Sequence, residues 1–127
     1  MSERPARDRA YPFEKLEVWQ LALELTGKAY VAAKSLPRSE LFALADQLKR
    51  AAVSVGLNIA EGRAADSDAE FRRYLGIALK SLIEVVACLK MCMFLGMLRE
   101  EKVNDLCAFC DRVEAKLRNL RKRLERQ

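Results

Sequence analysis

The C-terminal part of the chain carries apolar residues at alternating spacings of three and four, and this pattern restricts the fold more than any other feature. Such a/d spacing predicts a long helix whose apolar seam packs at a shallow angle against other helices. With five Gly and three Pro in 127 residues, long uninterrupted elements are favoured over a turn-rich β architecture. The seam consists of Val103, Leu106, Cys110, Val113, Leu117, Leu120 and Leu124.

Start and stop signals divide the preceding chain into three further helices. We expect the first over residues 14–35, because Pro37 disfavours helical geometry at the residue before it. The second is expected to begin at Ser39, as its N-cap, and to run to residue 61, where Gly62 supplies a left-handed stop. The first helix has one broad face formed by Leu16, Trp19, Leu23, Thr26 and Tyr30.

The clearest start signal belongs to the third helix. The segment Ser67-Asp68-Ala69-Glu70 is a capping box, in which Ser67 caps the helix and Glu70 reaches back to it. We expect this helix over residues 68–95, ended by Gly96. The fourth helix is expected to begin near Arg99 and to continue almost to the C-terminus.

Four helices joined by short connections predict an all-α, antiparallel up-down-up-down four-helix bundle. We expect this single domain to occupy residues 13–127, after a flexible basic lead over residues 1–12. No apolar run approaches the roughly 20 residues that a membrane span needs, so no membrane partner is expected. The N-terminus has charges but no apolar stretch after them, which argues against a secretory signal and predicts a cytoplasmic protein.

The residue types argue against catalysis. The chain has no histidine, which removes the commonest general base and every Ser-His or Cys-His nucleophile pair. No phosphate-binding loop compensates, so we predict no enzymatic activity, no catalytic residue and no cofactor. The cysteines are either a zinc site or small core residues, and we favour the core because structural zinc sites usually use loops. They are Cys88, Cys92, Cys107 and Cys110.

The second helix is apolar around most of its circumference yet carries one polar stripe, which suggests that other subunits cover part of it. If the second and third helices fold back on one another, the stripe faces Ser81 and Glu84. We then expect an Arg50–Glu84 ion pair, largely screened from solvent, and Glu61 close to Arg72 and Arg73. The stripe consists of Gln47, Arg50, Ser54, Asn58 and Glu61.

Three interpretations of these polar residues are open. The first is a satisfied network that fixes helix register or subunit contacts. The second is that each side chain simply reaches water at a helix flank. The third is an active site that uses Glu61 and Glu84 as paired carboxylates, although nothing adds a nucleophile or a metal cluster.

Three segments resemble a bacterial four-helix-bundle family named after proteins encoded within intervening sequences of large-subunit ribosomal RNA genes. The segments are FEKLEVWQLA (13–22), LPRSELFALADQLKRAAVSVGLNIAEG (36–62) and EFRRYLGIALKSLIEVVACL (70–89), the last followed by LGML. The similarity spans about residues 12–120. Lys80-Ser81 stands where the family has a glycine-serine pair, so the residue before Ser81 departs from the pattern.

The resemblance implies an antiparallel bundle that assembles into a homopentameric ring. It also implies an architecture similar to the accessory variability protein of diversity-generating retroelements, a basic pentameric barrel that binds nucleic acid. In such a ring, a neighbouring copy would cover the second helix, and the polar stripe would set how subunits fit together.

Charge favours a polyanionic partner. The net charge is +5 and the sequence pI about 9.2, so we predict non-specific RNA or DNA binding through a basic surface. The alternatives are a basic face that is only solvated, and a structural or adaptor ring that binds a protein instead. Arg4, Arg7 and Arg9 add charge at the other end of the chain. The candidate nucleic-acid-binding residues are Lys116, Arg118, Arg121, Lys122, Arg123 and Arg126.

Overall fold

The computed structural model describes residues 10–125, and every regular element in that range is helical. This confirms the predicted all-α class with four long helices. None of these helices is both long enough and apolar enough to cross a membrane. The helices are α1 (Glu17–Lys34), α2 (Leu44–Arg63), α3 (Asp68–Phe94) and α4 (Glu100–Glu125), with 3₁₀ turns at Pro12–Lys15 and Arg38–Glu40.

The helices pack in a closed cycle: α1 on α2, α2 on α3, α3 on α4, and α4 back on α1. In the described part of the chain, the diagonal pairs make no close backbone contact. Ser54 of α2 faces Ser81 of α3, while Gly62 further along α2 lies against Phe71, so residue numbers rise along one helix as they fall along the other.

The heptad seam of α4 lies in the core as predicted. Val103, Val113 and Leu117 are fully buried, and Leu124 at the end of the seam is partly buried. Burying a side chain of this size contributes about 1.5–3 kcal/mol relative to leaving it in water. The largest fully buried side chains of the other helices are Leu25, Leu48, Ile59, Leu75, Leu82 and Leu89.

The buried face of α1 is rotated from the predicted one. Leu23 and Tyr30 are about half exposed, whereas Trp19 is partly buried and packs edge-on against Phe13, with ring centroids 4.6 Å apart. The face that packs is rich in alanine, and small side chains let helices approach closely. It consists of Val18, Leu21, Ala22, Leu25, Ala29, Ala32 and Ala33.

The predicted start of α2 is wrong by about one turn. Ser39 lies in the 3₁₀ turn, and no side chain of the residue preceding α2 caps the helix. Instead, Oε1 of Glu40 accepts a hydrogen bond from the backbone N–H of Leu44 at 3.3 Å. A carboxylate near a helix start also interacts favourably with the helix dipole.

The predicted left-handed stop at Gly62 is also wrong. Gly62 is buried within α2, which continues to Arg63. A Cβ on Gly62 would lie 2.8 Å from Cβ of Tyr74 and 2.9 Å from Cδ1 of Phe71. Glycine therefore serves close packing of α2 on α3 here, rather than a reversal of the backbone.

The two ends of α3 agree with the sequence analysis. Oγ of Ser67 accepts a hydrogen bond from the N–H of Glu70 at 3.1 Å. The Glu70 carboxylate, however, accepts from Nε of Arg73 at 2.8 Å rather than from the backbone N–H of Ser67. After the last turn, Gly96 adopts φ +74°, the left-handed geometry that favours glycine.

Candidate nucleic-acid interface

The predicted basic residues of α4 line two different depressions, one on each side of the buried seam. Arg118, Arg121 and Lys122 lie on the side of α4 that faces α3, and Lys116 and Arg123 lie on the side that faces α1. Arg126 lies outside the described residues, as do the N-terminal arginines at positions 4, 7 and 9.

The flank that faces α1 is partly neutralised. Nζ of Lys116 lies 3.4 Å from Oε2 of Glu17, at the start of α1. Both side chains are well exposed, so this pair contributes about 0–1 kcal/mol to stability. It nevertheless places a carboxylate beside the cations that would meet a polyanion. Arg123 lies in the same shallow depression.

The flank that faces α3 forms a cleft of about 210 Å³, which we call the basic cleft. Its lining includes Arg72 of α3, which sequence analysis had placed near Glu61 instead. The beginning of α3 lies beside the end of α4. An arginine early in α3, such as Arg72, is therefore a candidate to join the basic residues late in α4. The cleft is lined by Arg72, Arg118, Arg121, Lys122 and Glu125.

Arg121 is the most confined cation of the cleft. Its Nε is buried and has no hydrogen-bond acceptor among residues 10–125, a situation that costs about 1–3 kcal/mol for a typical buried donor. Its guanidinium lies against the backbone of α3 at Gly76, where an added Cβ would be 3.6 Å from Nη2. Arg118 differs, because Oε2 of Glu114 accepts a hydrogen bond from its Nε at 3.0 Å and lies 2.9 Å from its Nη2.

The polar stripe of α2 meets α3 with a different register from the expected one. The Arg50–Glu84 ion pair is wrong: Arg50 is 75% exposed and lies 3.8 Å from Asp46 on its own helix. Glu84 instead accepts a hydrogen bond from Nε2 of Gln47, one turn earlier on α2. The partner of Glu84 is thus displaced by one helical turn, because the position of the turn between α2 and α3 is not fixed by periodicity.

The middle of the stripe forms a small hydrogen-bonded cluster. The hydroxyls of Ser54 and Ser81 lie 2.8 Å apart, and Ser81 is buried. Nδ2 of Asn58 donates to the Ser54 carbonyl at 2.8 Å and to its hydroxyl at 3.1 Å. These contacts satisfy polar groups between α2 and α3 without any charge.

The interpretation of Glu61 and Glu84 as paired catalytic carboxylates is wrong. Glu84 of α3 is held beside Gln47 of α2. Glu61 lies on α2 about 20 Å from Gln47, by helical rise. Acid–base pairs act within hydrogen-bond reach of one substrate, which this separation excludes. Arg73 also binds Glu70 rather than Glu61.

The cysteines are distributed through the core. Cys88, Cys92 and Cys110 are buried and Cys107 is partly buried, all as free thiols. Burial raises the pKa of each, and that of Cys110 to about 12. Zinc binds the thiolate, which burial disfavours. Within residues 10–125, no group of three or more side chains of the metal-binding types comes together.

Several apolar side chains remain at the surface. Tyr30 of α1 and Leu57 of α2 are 48% and 53% exposed and border a cleft of about 540 Å³ beside the polar stripe. Phe42, before α2, and Phe94, at the end of α3, are 90% and 88% exposed. Tyr30 and Leu57 share this cleft, and neighbouring exposed apolar side chains are typical of surfaces that bind other molecules.

Comparison with known proteins identifies relatives of this fold. The sequence model of a family described as 23S rRNA-intervening sequence protein matches residues 14–119. A solved structure from Bacteroides thetaiotaomicron VPI-5482, a protein of unknown function from the S23 ribosomal protein family, is similar with a TM-score of 0.77. That match has 25% identity and covers 83% of this chain and 98% of the other. No curated protein matches the chain.

Proposed function

The chain belongs to the family of 23S rRNA-intervening sequence proteins, and we propose that it is a non-enzymatic, oligomeric protein that binds RNA or DNA without sequence preference. The observation that carries this proposal is the basic cleft, where Arg72 of α3 joins Arg118, Arg121 and Lys122 of α4. Two helices thus contribute cations to one place.

The chemistry of these residues fits phosphate contacts. Lysine and arginine neutralise backbone phosphates, which supplies affinity that is independent of sequence and sensitive to salt. The net charge of +5 adds a longer-range attraction to a polyanion. Because phosphates are common to RNA and DNA, we propose that the protein binds both.

We further propose that antiparallel bundles assemble into a homopentameric ring in the cytoplasm. The opposed residue order of α2 and α3 supports the antiparallel arrangement. The half-exposed Tyr30 and Leu57, beside the polar stripe, support a subunit contact on the outer face of α1 and α2. Four free thiols fit a reducing compartment. A ring would repeat the basic cleft and raise affinity by multivalency.

Fluorescence anisotropy with labelled single-stranded RNA and DNA over a salt series tests nucleic-acid binding. We expect log Kobs to fall linearly with log salt, by about 0.7 for each neutralised phosphate of a single strand. Replacing Arg121, Lys122 and Arg123 together with Ala should weaken binding to every sequence equally. The matched control replaces Lys34, Arg38 and Lys102, which removes the same charge elsewhere. Absence of wild-type binding at low salt would refute the proposal.

A second candidate is an adaptor ring that binds a protein partner. The exposed Phe42 and Phe94 favour it, because aromatic side chains are enriched at protein interfaces. Light scattering separates the candidates when combined with the anisotropy experiment. A stable oligomer that leaves both RNA and DNA unbound at low salt would support the adaptor.

A further inference from the structure

We propose that the basic cleft is a site for one phosphodiester group of the nucleic-acid backbone, with Arg121 as the principal donor. This inference rests on the proposed function and assigns the contact to one side of α4. It divides the basic residues into those that hold a phosphate and those that only contribute charge.

Arg121 is held in place by packing rather than by an opposite charge. Its Nε is buried, and its guanidinium lies along α3 at Gly76. Within residues 10–125, it forms no ion pair, whereas Arg118 is paired with Glu114 and Arg73 with Glu70. A positioned guanidinium whose charge is not neutralised can donate to phosphate oxygens through its terminal nitrogens.

The neighbouring side chains complete a cationic cleft. Arg72 lines it from α3, opposite the residues of α4, so a bound group would meet cations from two helices. The lining contains four basic side chains and one carboxylate, that of Glu125. Glu114 engages two nitrogens of Arg118, and a guanidinium has further N–H donors that remain for a ligand.

The size and composition of the cleft select a phosphate rather than a base. Its volume of about 210 Å³ is below the roughly 300–1,000 Å³ of pockets for drug-sized ligands. None of the described residues that line it is aromatic, so it offers no surface for base stacking. Bound nucleic acid would therefore contact the cleft through its backbone.

The opposite flank of α4 provides a matched control. Arg123 carries the same charge as Arg121 and lies two residues away, but it shares its depression with Glu17 and Lys116, which form an ion pair. General electrostatic attraction would depend on Arg121 and Arg123 to a similar degree. A phosphate site in the basic cleft depends mainly on Arg121.

The test compares Arg121→Gln, Arg72→Gln and Arg123→Gln by anisotropy with a single-stranded oligothymidylate. We expect Arg121→Gln and Arg72→Gln each to weaken binding severalfold and to reduce the salt slope by at most about 0.7, the value for the single phosphate that the cleft holds. Arg123→Gln should leave the slope unchanged, and Arg121→Lys should restore part of the affinity. Light scattering and thermal unfolding of each variant identify any loss of assembly or fold. Equal losses at Arg121 and Arg123 would overturn the proposal while leaving non-specific binding intact.

Thermal unfolding in inorganic phosphate tests the cleft without nucleic acid. At matched ionic strength, millimolar phosphate should raise the Tm of the wild type and of Arg123→Gln, but not of Arg121→Gln. If phosphate acts in this way but the oligonucleotide does not depend on Arg121, the cleft is a free-phosphate site and the backbone assignment is wrong. If the wild type binds no nucleic acid at all, both the proposed function and this assignment fail.

Discussion

Of the described glycines, Gly62 has the least room for a Cβ, because α3 packs directly against it. Replacing it with Ala would push a methyl group against Tyr74 and Phe71, at 2.8 and 2.9 Å. Such overpacking costs about 1–3 kcal/mol. We therefore expect Gly62→Ala to lower the free energy of unfolding, measured by urea denaturation, by this cost less up to about 1 kcal/mol that alanine gains in helix propensity.

The matched control is Gly27→Ala in the middle of α1. Among the described residues, no atom outside the adjoining residues and the local helix backbone lies within 4 Å of a Cβ at this position. Alanine is about 0.8–1.0 kcal/mol more favourable than glycine within a helix, so this variant should be more stable than the wild type. If both variants changed stability in the same direction, close packing at Gly62 would not be the reason for glycine there.

Cys110 gives the protein a specific alkaline sensitivity. Its folded-state pKa is about 12, against about 8.5 for an exposed thiol. Below about pH 8.5 both states keep the proton, and above it only the unfolded state releases it, so unfolding becomes more favourable as pH rises. The stability advantage of wild type over Cys110→Ala should shrink by up to about 1.4 kcal/mol per unit between about pH 9 and 11. Urea denaturation at each pH measures it, and a constant difference would contradict the effect.

Single residues also show where sequence reasoning reaches its limit. A glycine in a sequence can either end a helix or allow another helix to pack closely. At Gly62 the role depends on the position of α3, which the sequence does not give. Arg50 and Gln47 lie one turn apart on the same stripe, so the partner of Glu84 depended on a turn position that periodicity does not fix. The Ser54–Ser81 contact shows that the stripe does face α3.

At the scale of elements, the ends of α3 were predictable because local chemistry determines them. Ser67 caps the helix through its own hydroxyl, and Gly96 ends it with a positive φ. The beginning of α2 was not predictable, because Ser39 followed by Glu40 is compatible with a 3₁₀ turn as well as with a helix start. Hydrophobic spacing predicted that the helices exist, but tertiary packing determined which face of α1 is buried.

Capping gives a prediction for α3. Ser67→Ala removes the acceptor of the Glu70 N–H and should lower the free energy of unfolding by about 1 kcal/mol. Ser39→Ala, in a turn where its side chain caps no helix, should change it by less than about 0.5 kcal/mol. Thermal or urea denaturation of both variants makes the comparison. A larger loss at Ser39 would mean that the 3₁₀ turn is the more important structure.

For the whole molecule, composition and periodicity predicted the helical class, but the distribution of charge required the packed structure. The basic residues of α4 are close together in sequence, yet they line two different depressions, one beside α1 and one beside α3. Arg72 joins one half only because α3 passes beside it. Residue order brings the beginning of α3 near the end of α4, but only the packed helices determine which side of α4 Arg72 reaches.

Assembly is the prediction that belongs to this scale. We expect light scattering to give the mass of about five chains for the wild type and a smaller mass for Leu57→Lys, because a buried lysine at a subunit contact is unfavourable. Ile83→Lys is the control, since Ile83 on α3 is exposed to a similar extent, 51% against 53%. A wild-type monomer at micromolar concentration would refute the ring. Loss of assembly only in Ile83→Lys would move the contact to α3.

The closure of α4 on α1 brings the beginning of the first helix beside the last one. Glu17 reaches Lys116, and the described part of α4 continues to Glu125, about 13 Å further by helical rise. A short flexible linker between the two ends, with new termini opened at Gly96, would preserve every pairing of neighbouring helices. Such a circular permutant should unfold cooperatively with the wild-type far-ultraviolet circular dichroism spectrum. The order in which the helices are synthesised is then incidental to the bundle, which depends on neighbours rather than on sequence order.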